Sequence, residues 1–242
     1  MICSYYSVFF YSFPVKIVLH YRPKESLMHQ RKAYLFGMVA TLSMLGFIII
    51  ATVVYKHAGF IAVFDHAVAG FVSEYRHAWL TPWVIRLTDL NGFLGATYLS
   101  LMILVLFALK GWYQALFRYL VITLGATGWF ALIKALIQRA RPEPTLLETG
   151  GYAFPSGHTT MATAMALGLA LIVASHTASS ALRRSWIILA LLWASAIGLT
   201  RLYLGVHWAS DVLGGMLLGT WWVTALFYWW ESHPKRRTTP RS

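Results

Sequence analysis

The feature that most restricts the fold of this chain is a series of apolar runs, each close in length to a membrane-spanning helix. A helix of about 20 mostly apolar residues can cross a bilayer. Six such runs, two of them short, occupy residues 33–55, 93–109, 113–133, 159–178, 186–199 and 210–230. Charged residues make up only 12% of the chain, whereas a soluble domain carries about 25%. We therefore predict an all-α integral membrane protein in which six transmembrane helices form a bundle.

The segment between the first two spans differs from the spans themselves. Residues 60–75 are apolar, but Asp65 and His66 interrupt them. This pattern is typical of an amphipathic helix that lies in the membrane interface, and we expect one here. Pro82 and the Asn91-Gly92 pair mark breaks in the chain before span two begins.

These runs predict three regions along the chain. They are an N-terminal cytoplasmic extension (1–32), the six-span domain (33–230) and a basic cytoplasmic tail (231–242). Met28, which is followed by His-Gln-Arg-Lys, has the character of a natural start. Residues 1–27 are therefore a candidate for a mis-assigned start of the reading frame.

The distribution of charge predicts the orientation of the spans. Of the 20 lysines and arginines, 13 fall on one side: before span one, between spans two and three or near the start of span three, between spans four and five, or after span six. Basic residues concentrate on the cytoplasmic side of membrane proteins. Both termini are therefore expected in the cytoplasm, and the opposite ends of the spans face the exterior, which is the periplasm if the membrane is the cytoplasmic membrane of a bacterium.

The net charge of +12 also raises the question of nucleic-acid binding. The basic residues stand at the ends of apolar runs rather than along one soluble face, so we expect a membrane partner and no nucleic acid. Cys3 is the single cysteine of the sequence, which excludes an intrachain disulfide and a zinc site built from cysteines.

Three polar clusters lie at the outer ends of spans three to six, and the first of them is basic. Lys134 and Arg141 are seven residues apart, close to two helical turns, so they can share one helical face. Because Pro142 disfavours helical geometry at Arg141, we expect the helix of span three to end near that residue. Two cations on one face suit a dianionic phosphate. The alternative is an ordinary basic cluster that contacts lipid headgroups.

The second cluster reads Pro155-Ser156-Gly157-His158 and opens span four. The N-terminus of a helix presents unpaired backbone N–H groups, which bind anions. Ser156 adds a hydroxyl, Gly157 allows a phosphate to approach the backbone, and His158 can donate a proton near neutral pH. The alternative, in which Ser156 only caps the helix, is compatible with phosphate binding.

The third cluster contains Thr200, Arg201, His207 and Asp211. His207 and Asp211 stand at positions i and i+4, so they can touch on one helical face. A carboxylate bonded to one imidazole nitrogen fixes the tautomer and makes the other nitrogen a better nucleophile. The alternative is an interfacial packing histidine, but a carboxylate that opens a membrane helix is costly without a role.

A metal site is an alternative for the same residues. His158, His207 and Asp211 could ligate zinc or iron. Three nearby cations, Lys134, Arg141 and Arg201, would repel a divalent metal and can replace it at a phosphoryl group. We therefore expect no metal and no cofactor.

Taken together, the clusters resemble the signature of the type 2 phosphatidic acid phosphatase superfamily, which reads K-x6-R-P, P-S-G-H and S-R-x5-H-x3-D. The order, the spacings and the placement among six spans all match, and Thr200 stands where the family usually has serine. In size and topology the chain is most similar to the bacterial phosphatidylglycerophosphatase B and undecaprenyl-diphosphate phosphatase branch.

The resemblance implies a function and a role for each residue. His207 would attack phosphorus and form a phosphohistidine, with Asp211 orienting it and His158 protonating the departing lipid oxygen. Lys134, Arg141, Ser156, Gly157 and Arg201 would bind the phosphate oxygens, with Thr200 as a minor contributor. The substrate would be a lipid phosphate such as phosphatidylglycerol phosphate, phosphatidic acid or undecaprenyl diphosphate.

Other functions fit parts of the same pattern. A phosphotransferase could use an identical site and pass the phosphate to an acceptor lipid or sugar. Haloperoxidases that depend on vanadate share the anion site of the superfamily, but those relatives are soluble. A transporter would place charges at the midpoints of its spans rather than at one set of ends. A lipid-binding scaffold would not need both histidines.

Overall fold

The structure, a computed structural model, describes residues 24–233, and within this range the chain forms eight α-helices. In chain order these are α1 (Lys24–Tyr55), α2 (Gly59–Ser73), α3 (Thr81–Asp89), α4 (Phe93–Leu109), α5 (Tyr113–Ile137), α6 (Gly157–Ser175), α7 (Ser180–Tyr203) and α8 (Ala209–Ser232). The expectations for residues 1–23 and for the tail beyond residue 233, including most of the proposed mis-assigned start, lie outside the described residues.

The helices bear out the predicted membrane architecture. Five of the described helices, α1, α5, α6, α7 and α8, are long and apolar enough to cross a bilayer. A sixth span is formed by α3 and α4 together, with a bend of 47° between them. The predicted all-α bundle of six transmembrane helices is therefore confirmed, and the chain is an integral membrane protein.

The predicted edges of the spans differ from the observed helices by up to nine residues, and the largest difference is at α1, which begins at Lys24 rather than at 33 and so includes part of the predicted N-terminal extension. The second predicted span coincides with α4, whereas α7 begins six residues before the predicted span at 186 and ends four residues after 199. Arg183 and Arg184 lie inside this helix. Long basic side chains can extend from a helix end toward the headgroups, so charge does not end the helix where it ends the apolar run.

The helix predicted between spans one and two is present as α2. Phe60, Phe64 and Phe71 are exposed on it, while Asp65 is buried with 1% of its surface exposed. Pro82 lies in the first turn of α3, where its missing N–H costs no hydrogen bond. The two predicted breaks therefore bracket a short helix, α3, that the sequence analysis did not predict.

The last helix, α8, packs against α1, α2, α5, α6 and α7. Its contact with α6 depends on small residues. A Cβ atom at Gly215 would lie 2.8 Å from the carbonyl oxygen of Ser156, and one at Gly219 would lie 2.8 Å from that of Thr160. These two glycines therefore allow α8 to pack closely on α6.

Backbone hydrogen bonds tie the loops together at one end of the bundle. The amide of Ser156 donates to the carbonyl of Asp211 over 3.0 Å, and the amide of Leu146 donates to the carbonyl of Leu204 over 2.9 Å. Arg76, in the segment between α2 and α3, donates its Nε–H to the carbonyl of Tyr203 over 2.7 Å. The segments that follow α5 and α7 are thus fixed against the starts of α6 and α8.

Candidate active site

The three polar clusters of the sequence meet at this end of the bundle. The end of α5 carries Lys134, the start of α6 carries His158, and the last turn of α7 carries Arg201. With Arg141 and His207 from the connecting loops, they lie close enough to one another to interact electrostatically. The fold therefore brings the separate motifs into one site.

His207 lies in the loop before α8, and 4% of its surface is exposed. Its Nδ1 atom is 3.5 Å from Oδ2 of Asp211, and its Nε2 atom is 3.4 Å from Nη1 of Arg141. Catalytic hydrogen bonds are often long when no substrate is bound. The imidazole thus directs one nitrogen toward a carboxylate and the other toward a guanidinium.

The expectation that His207 and Asp211 share a helical face was wrong in its geometry. The helix begins only at Ala209, with Trp208 as its N-cap residue, so His207 is outside it. Asp211 instead turns back over the first turn, and its Oδ2 atom accepts a hydrogen bond from the amide of Trp208 over 2.8 Å. The two side chains meet because the carboxylate caps its own helix.

The environment of His207 favours the neutral imidazole. Burial lowers the pKa of His207 to about 4, although the carboxylate of Asp211 acts in the opposite direction. Arg201 and Lys134 lower this pKa further through their positive charges. At neutral pH the side chain is therefore uncharged, with a lone pair on one ring nitrogen.

Arg141 lies in the site, but not on the helical face where it was expected. The helix ends at Ile137, because Gln138 adopts a left-handed conformation with φ of 51°, and Arg141 follows in an irregular segment. Its guanidinium donates to the carbonyls of Gly150, Gly151 and Val206 over distances of 2.9, 3.0 and 2.7 Å. These bonds hold the group beside His207.

Lys134 lies one turn before the end of α5 and bonds to the same loop. Its ammonium group donates to the carbonyls of Tyr152 and Ala153. Lys134 and Arg141 therefore converge on residues 150–153, although they do not share a helix. The two cations therefore lie close together as predicted, but their bonds to this loop bring them together and not a shared helical face.

Arg201 is almost fully enclosed, with 2% of its surface exposed. Its Nη1 atom donates to the hydroxyl of Thr88 over 3.0 Å, and its Nε atom has no hydrogen-bond partner in the described part of the chain. A buried N–H without a partner is costly, which is expected where a ligand completes the site. Thr200 turns away, since its hydroxyl donates to the carbonyl of Ile197 over 2.6 Å.

Ser156 is the N-cap residue of α6. Its side-chain oxygen accepts hydrogen bonds from the hydroxyl of Thr159 over 3.0 Å and from the amide of Thr159 over 3.4 Å. The side chain is fully buried. Helix capping by Ser156 is thus observed, while its contact with a phosphate stays a prediction, as does that of Gly157, which packs close to the ring of Phe130.

His158 lies in the first turn of α6, next to the start of α4. The side-chain amide of Asn91 donates to its carbonyl oxygen over 3.0 Å, and the indole of Trp193 donates to the amide oxygen of Asn91 over 3.3 Å. Asn91 therefore links the start of α6 to Trp193 of α7.

Two residues that the sequence analysis did not single out for the site are connected to it, Arg139 directly and Asp65 through Arg139. Arg139 donates to Oδ1 of Asp211 and to Oδ2 of Asp65, both over 2.6 Å. A sequence signal existed for Asp65, because a carboxylate in an apolar helix is costly without a partner. Arg139 stood inside the first basic cluster, where nothing distinguished it from its neighbours.

Among residues 24–233, no group of three or more histidine, cysteine, aspartate or glutamate residues is arranged to hold a metal ion. The expectation that the reaction needs no metal stays a prediction.

The comparisons with known proteins agree with this architecture. A family profile described as the PAP2 superfamily matches residues 115–235. Phosphatidylglycerophosphatase B of Bacillus subtilis is 28% identical over 178 residues, which are 72% of this chain and 85% of that protein. Undecaprenyl-diphosphatase of Sulfolobus acidocaldarius is 37% identical over 82 residues, which are 33% of this chain and 32% of that protein.

A solved structure gives the same result for the fold. The crystal structure of a transmembrane PAP2-type phosphatidylglycerolphosphate phosphatase from Bacillus subtilis superposes with a TM-score of 0.69 at 25% identity. The superposition covers 82% of this chain and 98% of that one.

The fold and the site together describe an all-α integral membrane protein whose histidines and basic side chains meet at one end of its helix bundle. The chain belongs to the PAP2 superfamily, as its sequence motifs predicted, and is a membrane phosphatase of that family.

Proposed function

We propose that this protein hydrolyses a lipid phosphate through a phosphohistidine formed on His207. The observation that carries the proposal is the arrangement of the imidazole. Nδ1 faces the carboxylate of Asp211 at 3.5 Å, and Nε2 faces the guanidinium of Arg141 at 3.4 Å. A neutral imidazole held in this way has a proton on Nδ1 and a lone pair on Nε2, which is the form that attacks phosphorus.

In the first step, Nε2 of His207 forms a bond to phosphorus while the bond from phosphorus to the lipid oxygen breaks. His158 donates a proton to the departing oxygen, so the lipid leaves as an alcohol, or as a monophosphate if the substrate is a diphosphate. In the second step, His158 removes a proton from water, and the resulting hydroxide releases inorganic phosphate from His207. The carboxylate of Asp211 stabilises the positive charge on the ring.

The cations of the site would stabilise the charge of the transferred phosphoryl group. Catalysis of this transfer depends mainly on positioning and electrostatics. Arg141 lies beside the attacking nitrogen, and Nε of Arg201 has an N–H group with no partner in the described residues. We assign phosphate binding to these two residues with Lys134, Ser156 and the backbone N–H of Gly157, and no metal is needed in this scheme.

An apolar cavity of about 640 Å³ supports a lipid substrate. It lies among α4, α5, α6 and α7, with Asn91 in its lining at one end and Lys110 and Trp112 at the other. Asn91 bonds to the backbone of His158, so the cavity begins beside the residue that would protonate the leaving group. A lipid chain attached to that oxygen could therefore remain among apolar side chains during the reaction.

The preferred lipid is proposed from this cavity and from the relatives. Phosphatidylglycerol phosphate and undecaprenyl diphosphate are the first candidates, and phosphatidic acid is the third. The distribution of basic residues supports a site at the outer face of a bacterial cytoplasmic membrane, with both termini in the cytoplasm.

The proposal is tested by phosphate release from these lipids in detergent, with EDTA present, for the wild type and for His207→Ala. His57→Asn is a matched control, because this exposed histidine has φ of 49° and asparagine tolerates that conformation. Release by the wild type and the control, with loss in His207→Ala, is the expected result. Activity that survives in His207→Ala, or that EDTA abolishes, contradicts the mechanism.

A further inference from the structure

Arg139 joins two buried carboxylates that come from different helices. Its Nη1 atom is 2.6 Å from Oδ1 of Asp211 on α8, and its Nη2 atom is 2.6 Å from Oδ2 of Asp65 on α2. The side chain of Arg139 is 13% exposed, that of Asp65 is 1% exposed, and that of Asp211 is fully buried. The two ends of the guanidinium fork thus serve one carboxylate each.

Ser210 completes the hydrogen bonding of this cluster. Its hydroxyl donates to Oδ2 of Asp65 over 2.7 Å and accepts from Nη1 of Arg139 over 2.6 Å, while its amide donates to Oδ1 of Asp65 over 2.9 Å. The ring of Trp208 lies 5.7 Å from the guanidinium carbon of Arg139. Buried charges are tolerated when their hydrogen bonds are satisfied in this way.

The two oxygens of Asp211 therefore have different partners. Oδ1 is bound by Arg139, and Oδ2 accepts from the amide of Trp208 and faces Nδ1 of His207. Without Arg139, the carboxylate could rotate about its last torsion and turn the plane of its two oxygens away from the imidazole. The bond to Arg139 fixes this plane, so that an oxygen stays directed at Nδ1 of His207.

We propose that Asp65 and Arg139 are positioning residues for the reaction, acting on His207 through Asp211. This inference rests on the proposed function, because it assigns them a role in the same histidine mechanism. Arg139 fixes the orientation of the Asp211 carboxylate. Asp65 shares the positive charge of Arg139, so that Asp211 keeps enough negative charge to stabilise a positively charged phosphohistidine.

The charges of the cluster make the proposal specific. Asp65, Arg139 and Asp211 together carry one net negative charge. Asp65→Asn leaves no net charge, Arg139→Gln leaves two negative charges, and the double variant returns to one. When the cluster becomes more negative, it stabilises a nearby imidazolium more strongly, so the pKa of the imidazole of His207 rises.

His207 reports these changes through its titration. The charged and titratable groups that face it come from five segments of the site: Asp211 of α8, Arg201 of α7, Lys134 of α5, His158 of α6 and Arg141 of the loop after α5. These groups are unchanged in all three variants. Shifts of the acidic limb of the pH–rate profile among the variants therefore report on Asp65 and Arg139.

A purely structural role, in which Asp65 only anchors α2 to the bundle, predicts a different result. Loss of an anchor lowers the yield or the thermal stability of the folded protein and does not move the acidic limb in opposite directions. It also predicts no recovery in the double variant, because both anchoring groups are then absent.

The experiment measures kcat, KM and the pH dependence of kcat/KM for wild type, Asp65→Asn, Arg139→Gln and the double variant in detergent. Glu74→Gln is the control, since it removes an exposed carboxylate just beyond the same helix. We expect kcat to fall by about a hundredfold in Arg139→Gln with a small change in KM, as for a slightly misplaced catalytic group.

The direction of each pH shift is also fixed. The acidic limb moves to lower pH in Asp65→Asn and to higher pH in Arg139→Gln, and it returns close to the wild-type position in the double variant, whose kcat exceeds the product of the single effects. Wild-type kcat and pH profiles in both single variants would overturn the inference, as would reductions of kcat without opposite shifts.

Two further measurements distinguish a loss of positioning from a loss of folding, and a failure of this inference from a failure of the proposed function. Ser210→Ala removes the hydroxyl that links Asp65 to Arg139 and leaves the charge of the cluster unchanged. This variant is used in place of Asp65→Asn or Arg139→Gln if either of them does not fold. A smaller fall in kcat at unchanged KM is expected, and wild-type kcat would overturn the inference. Phosphate release that survives His207→Ala would instead reject the proposed function, whatever the Asp65 and Arg139 variants show.

Discussion

Arg141 holds its Nη1 atom 3.4 Å from the Nε2 atom of His207, although the two residues are 66 positions apart in the chain. The same guanidinium donates to the carbonyl of Val206, directly before the histidine, over 2.7 Å. A cation is therefore fixed to the backbone beside the nitrogen that we propose as the nucleophile. This placement allows Arg141 to contact a phosphoryl oxygen as the bond to His207 forms.

Replacement of Arg141 by lysine tests this placement. Lysine keeps the charge but cannot bond to three carbonyls with a planar fork. We expect kcat to fall by about 10²- to 10³-fold, the usual loss when a preorganised donor to a transition-state oxygen is removed. Steady-state kinetics with one lipid phosphate measure the effect. A fall of less than about threefold would exclude a direct role of the guanidinium.

The titration of His207 gives a second prediction. Burial lowers the pKa of this side chain from 6.5 to about 4. Because the nucleophile must be neutral, its active form is complete above the lowered pKa and is lost as the pH falls through about 4. We expect the acidic limb of kcat/KM to lie well below 6.5 for a substrate that does not itself titrate there. A limb at the ordinary histidine value would contradict the buried, neutral imidazole.

The apolar cavity predicts a variant that separates lipid binding from chemistry. Ala166 of α6 lines the cavity, and tryptophan at this position would occupy part of its volume. Ala166→Trp should raise KM for a long-chain lipid phosphate and leave hydrolysis of a short, soluble phosphate ester close to that of the wild type. Equal losses with both substrates would show that the cavity does not hold the lipid chain.

The contact between α6 and α8 predicts a loss of stability from a single methyl group. A Cβ atom at Gly219 would lie 2.8 Å from the carbonyl of Thr160, whereas one at Gly128 of α5 meets nothing within 4 Å. Gly219→Ala should destabilise the fold by about 1–3 kcal/mol, the usual cost of overpacking. Gly128→Ala is the matched control and should not. Thermal unfolding in detergent compares the two, and equal stability would contradict the packing.

The sequence predicts the spans because each one is an apolar run bounded by charge, and the structure confirms these runs. It predicts α2 for the same reason. It does not predict α3, since a segment of nine residues that includes a proline is shorter than the windows in which a helical pattern is recognised. Local pattern therefore determines the long helices but not the short helix that precedes α4.

The sequence also predicts some features of the site and not others. The motifs identify His158, His207 and Asp211 as partners, and the fold brings their segments together. The geometry of Arg141 could not be predicted, because the helix ends earlier than Pro142 indicates, at a left-handed Gln138. The pairing of Arg139 with Asp65 joins residues 74 positions apart and depends on how α2 packs on α8. Such contacts are properties of the tertiary structure.

The central claim is that the phosphoryl group is bound to His207 during turnover. The most direct measurement is an acid-free quench of the enzyme with a lipid labelled in its phosphate, followed by mass spectrometry of the peptides. We predict a phosphorylated peptide whose modified residue is His207, with more of it in His158→Ala if the second step is slowed more than the first, and none in His207→Ala. A label on another residue would contradict this mechanism. So would turnover by the wild type and by His158→Ala without any label on His207.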